Sequence, residues 1–128
     1  MSKILSIDYG LKRIGLAITD QKQKIVFPHS TLIHNKSIIE EIKKLCQREE
    51  VKKIIVGLPV GLNSQESEQT LITKKFIALL KENIDIPIIE EDERLSSQMA
   101  ERFSHKNKDE ISAMIILESY LQRQGVND

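Results

Sequence analysis

Ile4-Leu5-Ser6-Ile7-Asp8-Tyr9-Gly10-Leu11-Lys12-Arg13-Ile14-Gly15-Leu16-Ala17-Ile18-Thr19 is the stretch that decides the fold. Ile4 to Ile7 reads as a short buried strand, and Asp8-Tyr9-Gly10 supplies turn chemistry at its end. Ile14 to Thr19 reads as a second strand. Only Gly10 to Arg13 joins them, a length that favours an antiparallel hairpin.

Working outward, Ile25-Val26-Phe27 is a third strand, stopped by Pro28. Ser37 to Glu50 reads as a helix opened by a capping box of Ser37 with Glu40. Its apolar stripe is Ile38, Ile39, Ile42, Leu45 and Cys46. Lys53 to Val56 is a buried strand ended by Gly57-Leu58-Pro59. Gln65 to Asn83 is a second long helix, with Ile72, Phe76, Leu79 and Leu80 facing inward. Ile86 to Ile89 is another strand. A short helix is predicted over Ser96 to Phe103 and a last one from Asp109 to Arg123, with Gly125 as its stop signal. Hairpin strands come first and helix-linked strands follow. That order predicts an α/β fold, a mixed sheet with antiparallel strands first and parallel strands after, flanked by helices.

The 128 residues are sized for a single domain, 1–128, without a second domain to close over a nucleotide. Apolar residues make up 40% and charged residues 30%, an ordinary globular composition. Nineteen basic residues balance nineteen acidic ones, which excludes a strongly basic nucleic-acid coat but not a local patch. The single cysteine, Cys46, excludes an internal disulfide and any multi-cysteine zinc site. It lies on an apolar stripe and reads as core. No apolar run has the length of a membrane span, and the first strand leaves no room for a signal peptide, so a cytoplasmic protein is expected.

Carboxylates gather at three element ends. Asp8 ends the first strand, Glu90-Glu91-Asp92-Glu93 closes the last strand, and Asp109 opens the final helix. Taken singly, Asp8 also suits a plain turn, and Asp109 suits the positive end of a helix dipole. The acidic run is different, because four adjacent carboxylates repel and a divalent cation relieves that cost. Alternation puts Glu91 and Glu93 on one face and Glu90 and Asp92 on the other. Asp109 shares a stripe with Ala113, Ile116, Leu117 and Tyr120 and so points toward the sheet. Oxygen-only ligands suit hard cations, Mg2+ or Mn2+, and such ions support phosphodiester chemistry.

Four blocks together resemble one family. Asp8-Tyr9-Gly10-Leu11-Lys12-Arg13-Ile14-Gly15-Leu16-Ala17 is similar to the opening signature of the YqgF (RuvX) family. Its members are Holliday-junction-resolvase-like proteins, also described as pre-16S rRNA nucleases. Ile55-Val56-Gly57-Leu58-Pro59, Asp92-Glu93-Arg94-Leu95-Ser96-Ser97, and Asp109 with Ser112, Ala113, Ile116, Leu117, Tyr120 and Leu121 match further family blocks in order. The match runs from residue 4 to 121. The resemblance implies a ribonuclease-H-like fold and a metal-dependent endonuclease. Catalytic and metal-ligating roles fall on Asp8, Glu93 and Asp109, with Asp92 as the alternative to Glu93. It further implies maturation of the 5′ end of precursor 16S rRNA, with junction resolution on branched DNA as an alternative. Three positions depart from the family pattern. Val60-Gly61-Leu62-Asn63-Ser64 lacks the Asp-Gly that often follows Gly-Leu-Pro. Ser112-Ala113 replaces Ala-Ala. The connection from Phe103 to Asp109 is short, which bears on substrate preference.

Lys12 and Arg13 stand beside Asp8, and Arg94 stands beside Glu93. All three are candidate contacts to backbone phosphates, although Arg94 also suits plain neutralisation of its neighbours. Lys43-Lys44, Lys52-Lys53 and Lys74-Lys75 read as solvated faces. Lys106 and Lys108 could line a substrate path. His29, His34 and His105 show no metal-ligand spacing, and His105 could shuttle a proton near the site. Two Tyr, three Phe and no Trp make a base-stacking platform a poor fit. No phosphate-binding glycine loop is present, so ATP and dinucleotide chemistry have no support. A rival reading keeps the fold and the basic residues in a non-cleaving RNA-binding assembly factor. The expected partners are nucleic acid, precursor rRNA before branched DNA, and the ribosome. No membrane is expected, and the protein is expected as a monomer or weak homodimer.

Overall fold

Alternation along the opening hairpin builds two cores. The structure is a computed structural model, and it describes residues 2–59, 67–92 and 108–124. The first strand, β1, spans Lys3–Asp8 and pairs antiparallel with β2, Arg13–Thr19. Leu5 and Ile7 of β1 join Ile14, Leu16 and Ile18 of β2 on one face. Ile4 and Ala17 face the other way. The turn between the strands is tight at Gly10, where an added Cβ would run into the Arg13 carbonyl.

The third strand, β3, spans Val26–Ile33 and continues well past Pro28, contrary to the expected stop. The strand order is β3-β2-β1-β4-β5, so β3 is an edge. A proline lacking its N–H is tolerated there, and the register shifts between Leu16 and Ala17 at the same place. Helix α1 spans Ile38–Glu49. Its expected capping box does not form. Ser37 has φ −95° and ψ 6°, not the extended backbone a side-chain cap requires, and it makes no side-chain cap bond. Instead the Ser37 N–H donates to Asn35 Oδ1 at 2.8 Å.

Strand β4, Val51–Leu58, is longer than expected at both ends and pairs parallel with β1. Helix α2 spans Glu68–Asn83 and opens on a capping box of Ser67 with Thr70. Its buried face is Thr70, Thr73, Phe76, Ile77 and Leu80. Leu79, expected to face inward, is exposed, and Ile72 is only half-buried. Strand β5 spans Ile88–Asp92 and pairs parallel with β4. The expected strand over 86–89 is thus displaced toward the acidic run, whose first three residues are in the strand. The short helix expected over 96–103 lies outside the described residues. Helix α3 spans Lys108–Gln124, one residue longer at each end than expected.

Helices α1 and α2 cover one face and α3 the other. Ile38, Ile42, Leu45 and Cys46 of α1 and Phe76, Ile77 and Leu80 of α2 close the first core. Ala113, Ile116, Leu117 and Tyr120 of α3 close the second over Ile4, Ala17 and Ile55. The stripe expected on the last helix is thus the buried one. Small residues let α3 lie close to the sheet. Ser6 Oγ donates to the Ala113 carbonyl at 2.6 Å, and Gly15 and Ala17 leave room beside it. Lys53, expected on a solvated face, is half-buried, and its Nζ donates to the Tyr120 hydroxyl at 2.9 Å. Among the described residues no helix is long and apolar enough to cross a membrane.

Candidate active site

Asp8 is the last residue of β1 and is half-buried. Its cross-strand partner is Gly15, so the two lie on the same face of the sheet. That face is the one α3 covers. A Cβ added at Gly15 would meet the Asp109 carbonyl group well inside contact and the Asp109 Cβ at 2.9 Å. Gly15 therefore allows the first turn of α3 to sit directly on β2. The consequence is geometric: Asp8 beside Gly15 in the sheet, and Asp109 on top of Gly15, form one cluster. A glycine inside a strand signals such a close approach of another backbone. That signal is present in the sequence at Gly15, within the strand Ile14 to Thr19.

Three ties fix the first half of α3. Ser6 bonds the Ala113 carbonyl. Thr31 Oγ1 donates to Glu110 Oε2 at 3.0 Å. Arg13 Nε donates to Asp109 Oδ2 at 2.9 Å. Arg13 has the parity of Gly15 and Ala17 along β2, so its side chain rises on the α3 face. The Asp109 side chain is 30% exposed and that of Arg13 63%, so the pair is open to solvent on one side. Sequence reasoning placed Arg13 against substrate alone and did not foresee its bond to Asp109.

Within the acidic run, Glu91 is met by a cation of the protein itself. Glu91 is 3% exposed and lies on the α3 face, two strands away from Asp8. Its Oε1 accepts from Arg123 Nη2, and its Oε2 accepts from Ser119 Oγ at 3.1 Å. A guanidinium from the end of α3 thus offsets the buried charge, and no cation is needed there. Glu90 and Asp92 point to the opposite side and are exposed. Glu93 and Arg94 lie outside the described residues, as do His105, Lys106 and residues 60–64.

The turn carrying Lys12 is held from outside. The His34 N–H donates to the Lys12 carbonyl at 3.0 Å, and His34 Nδ1–H donates to the Leu11 carbonyl at 3.1 Å. Tyr9, next to Asp8, stacks on Phe76 with ring centroids 4.3 Å apart and meets His34 edge-on at 5.2 Å. Burial raises the Tyr9 phenol above its ordinary pKa, which keeps it neutral.

Asp8 and Asp109 offer carboxylate oxygens only, from two elements converging on Gly15. That donor chemistry fits a hard divalent cation better than zinc or copper. No group of three His, Cys, Asp or Glu gathers in metal-holding reach among the described residues.

A β3-β2-β1-β4-β5 sheet, antiparallel then parallel, with acidic residues at the C-terminal end of β1 and at the start of the last helix, defines the ribonuclease-H-like class. Solved structures agree on the fold. Thermus thermophilus RuvC in complex with a Holliday junction substrate superposes with a TM-score of 0.64 at 11% identity, covering 98% of this chain and 97% of that one. The fowlpox virus resolvase bound to Holliday junction DNA gives 0.57 at 14%, covering 95% and 98%. A family model described as RuvX, Holliday junction resolvase, matches residues 2–123, and the chain belongs to that family. It is an endonuclease that hydrolyses phosphodiester bonds. Relatives named "Putative pre-16S rRNA nuclease" include one from Sulfurihydrogenibium sp. (strain YO3AOP1), 40% identical over 96% of this chain and 92% of its own length. Another from Phocaeicola vulgatus is 41% identical over 95% and 96%.

Proposed function

We propose that the protein matures the 5′ end of precursor 16S rRNA in the cytoplasm. Asp8, Glu93 and Asp109 act as ligands for one or two Mg2+ or Mn2+ ions. The observation that carries this reading is the meeting of Asp8 and Asp109 at Gly15. Two acidic residues from separate elements are brought together where the sheet ends. When bound, such a cation lends Lewis-acid activation of water and neutralises charge on the phosphate.

The chain's own residues do the rest. Asp8 and Asp109 supply fixed negative charge from rigid elements, and Glu93 completes the set. Lys12, Arg13 and Arg94 hold phosphates of the substrate backbone beside those acids. Cleavage leaves a 5′-phosphate and a 3′-hydroxyl. The relatives' name supports the rRNA substrate. The family description favours a second reading, resolution of branched DNA. The protein works as a monomer or weak homodimer, in transient contact with the ribosome.

A side-by-side cleavage assay decides between substrates. A labelled transcript spanning the 5′ boundary of 16S rRNA and a four-way DNA junction are offered separately with Mg2+ or Mn2+. Cleavage of the transcript at a single position, with the junction intact, is the expected result. Cleavage of the junction alone would move the assignment to resolution. Binding of the transcript without cleavage would leave an assembly factor.

A further inference from the structure

We infer that Asp109 has a second task, as the residue that orients Arg13 toward a substrate phosphate. The inference rests on the proposed reading that Arg13 holds nucleic-acid backbone. Arg13 Nε is the atom bonded to Asp109 Oδ2, at 2.9 Å. A guanidinium carries five N–H donors in a planar fork, so a bond through Nε fixes the plane and leaves the terminal amines for a second anion. The Arg13 side chain is 63% exposed, so a phosphate can reach it. The anchor is itself rigid. Asp109 lies against Gly15, and Glu110 beside it is bonded to Thr31. An exposed arginine held at one nitrogen loses less rotamer freedom on binding than an unrestrained one.

This arrangement makes an unusual prediction, because its sign opposes simple electrostatics. Removing a carboxylate from a site that binds a polyanion should tighten binding. If Asp109 orients Arg13, removing the acceptor should weaken it.

The test is binding of a fluorescein-labelled RNA hairpin in EDTA, followed by anisotropy, so that neither cleavage nor metal contributes. Arg13→Gln is expected to weaken binding roughly five- to ten-fold and to lower the salt slope by about one. Asp109→Ala, which keeps no acceptor, should weaken binding about two- to three-fold. Asp109→Asn removes the same charge but keeps an acceptor oxygen, and should bind no worse than wild type. In an Arg13→Gln background, Asp109→Ala should tighten binding instead, since only the charge is then lost. Circular dichroism and the melting temperature of each variant report whether α3 stays docked. Tighter binding by Asp109→Ala in the wild-type background overturns the inference and leaves the proposed function intact. No loss in Arg13→Gln overturns both the inference and the phosphate role of Arg13.

Discussion

Gly15 lies directly beneath Asp109, so closely that a single added methyl group would collide with the Asp109 carbonyl. The same glycine is the cross-strand partner of Asp8. One residue without a side chain therefore sets the distance between two acids that are 101 positions apart in the sequence.

Gly15→Ala tests that relationship. The new Cβ must push the first turn of α3 off the sheet, an overpacking cost of about 1–3 kcal/mol. Nuclease activity should fall by more than ten-fold under conditions where most of the protein is still folded, because a small displacement of catalytic groups is expensive. Thermal melting and initial cleavage rates measured together would show it. Full activity in a stably folded Gly15→Ala protein would mean that the close approach has no bearing on catalysis.

Glu91 is buried and its charge is met by Arg123. Arg123→Met should destabilise the fold by about 2 kcal/mol, below the usual range for a buried pair because Arg123 is itself largely exposed. Glu91→Gln in the Arg123→Met background should recover part of that loss, since no uncompensated charge remains. Urea unfolding of Arg123→Met, Glu91→Gln and the double variant makes the comparison. An additive double variant would show that the two groups do not interact.

Glu49 links α1 to the sheet through His29 Nε2 and Lys3 Nζ, both at 3.3 Å. The hydrogen bond from His29, then that from Lys3, holds its carboxyl below the ordinary carboxylate pKa. A depressed folded-state pKa contributes stability above the unfolded value and loses it as pH falls through the folded one. His29→Gln should therefore be slightly less stable than wild type near neutrality, by about 0.5 kcal/mol. The difference should shrink in acid, below the ordinary carboxylate range. Melting temperatures from pH 5 to pH 3 provide the check, and a gap that widens through the carboxylate range would contradict the linkage.

Cys46 is buried in the first core, and desolvation pushes its thiol up to about 11. A thiol whose folded-state pKa is raised contributes stability below its unfolded pKa and loses it as pH climbs toward the folded value. Thiol reagents should label native protein slowly at pH 8 and unfolded protein at once in urea. Equal rates in the two conditions would place Cys46 at the surface.

Much of this was legible in the sequence because alternation and helical stripes report burial directly. The Ile4–Thr19 hairpin and the buried stripe of α3 follow from period two and period 3.6. Pro28 misled because its effect depends on whether a strand is central or at an edge, which only the sheet order decides. Ser37 matched a capping pattern, but the backbone entering α1 turns the wrong way for it. Leu79 is apolar yet exposed, since Phe76, Ile77 and Leu80 already fill the groove. Within the acidic run, the partner of Glu91 is Arg123, 32 residues away. Pairings at that separation leave no local trace, and the bond from Arg13 to Asp109 is of the same kind.

Metal-dependent cleavage at Asp8 and Asp109 can be tested directly. Its most direct test is hydrolysis of the labelled precursor transcript by wild type, Asp8→Asn and Asp109→Asn, each with Mg2+, with Mn2+ or with EDTA. The expected result is cleavage by wild type with either metal, none in EDTA, and losses of at least about 100-fold in both variants, with their melting temperatures near that of wild type. Undiminished cleavage by Asp109→Asn, or cleavage that persists in EDTA, would contradict it.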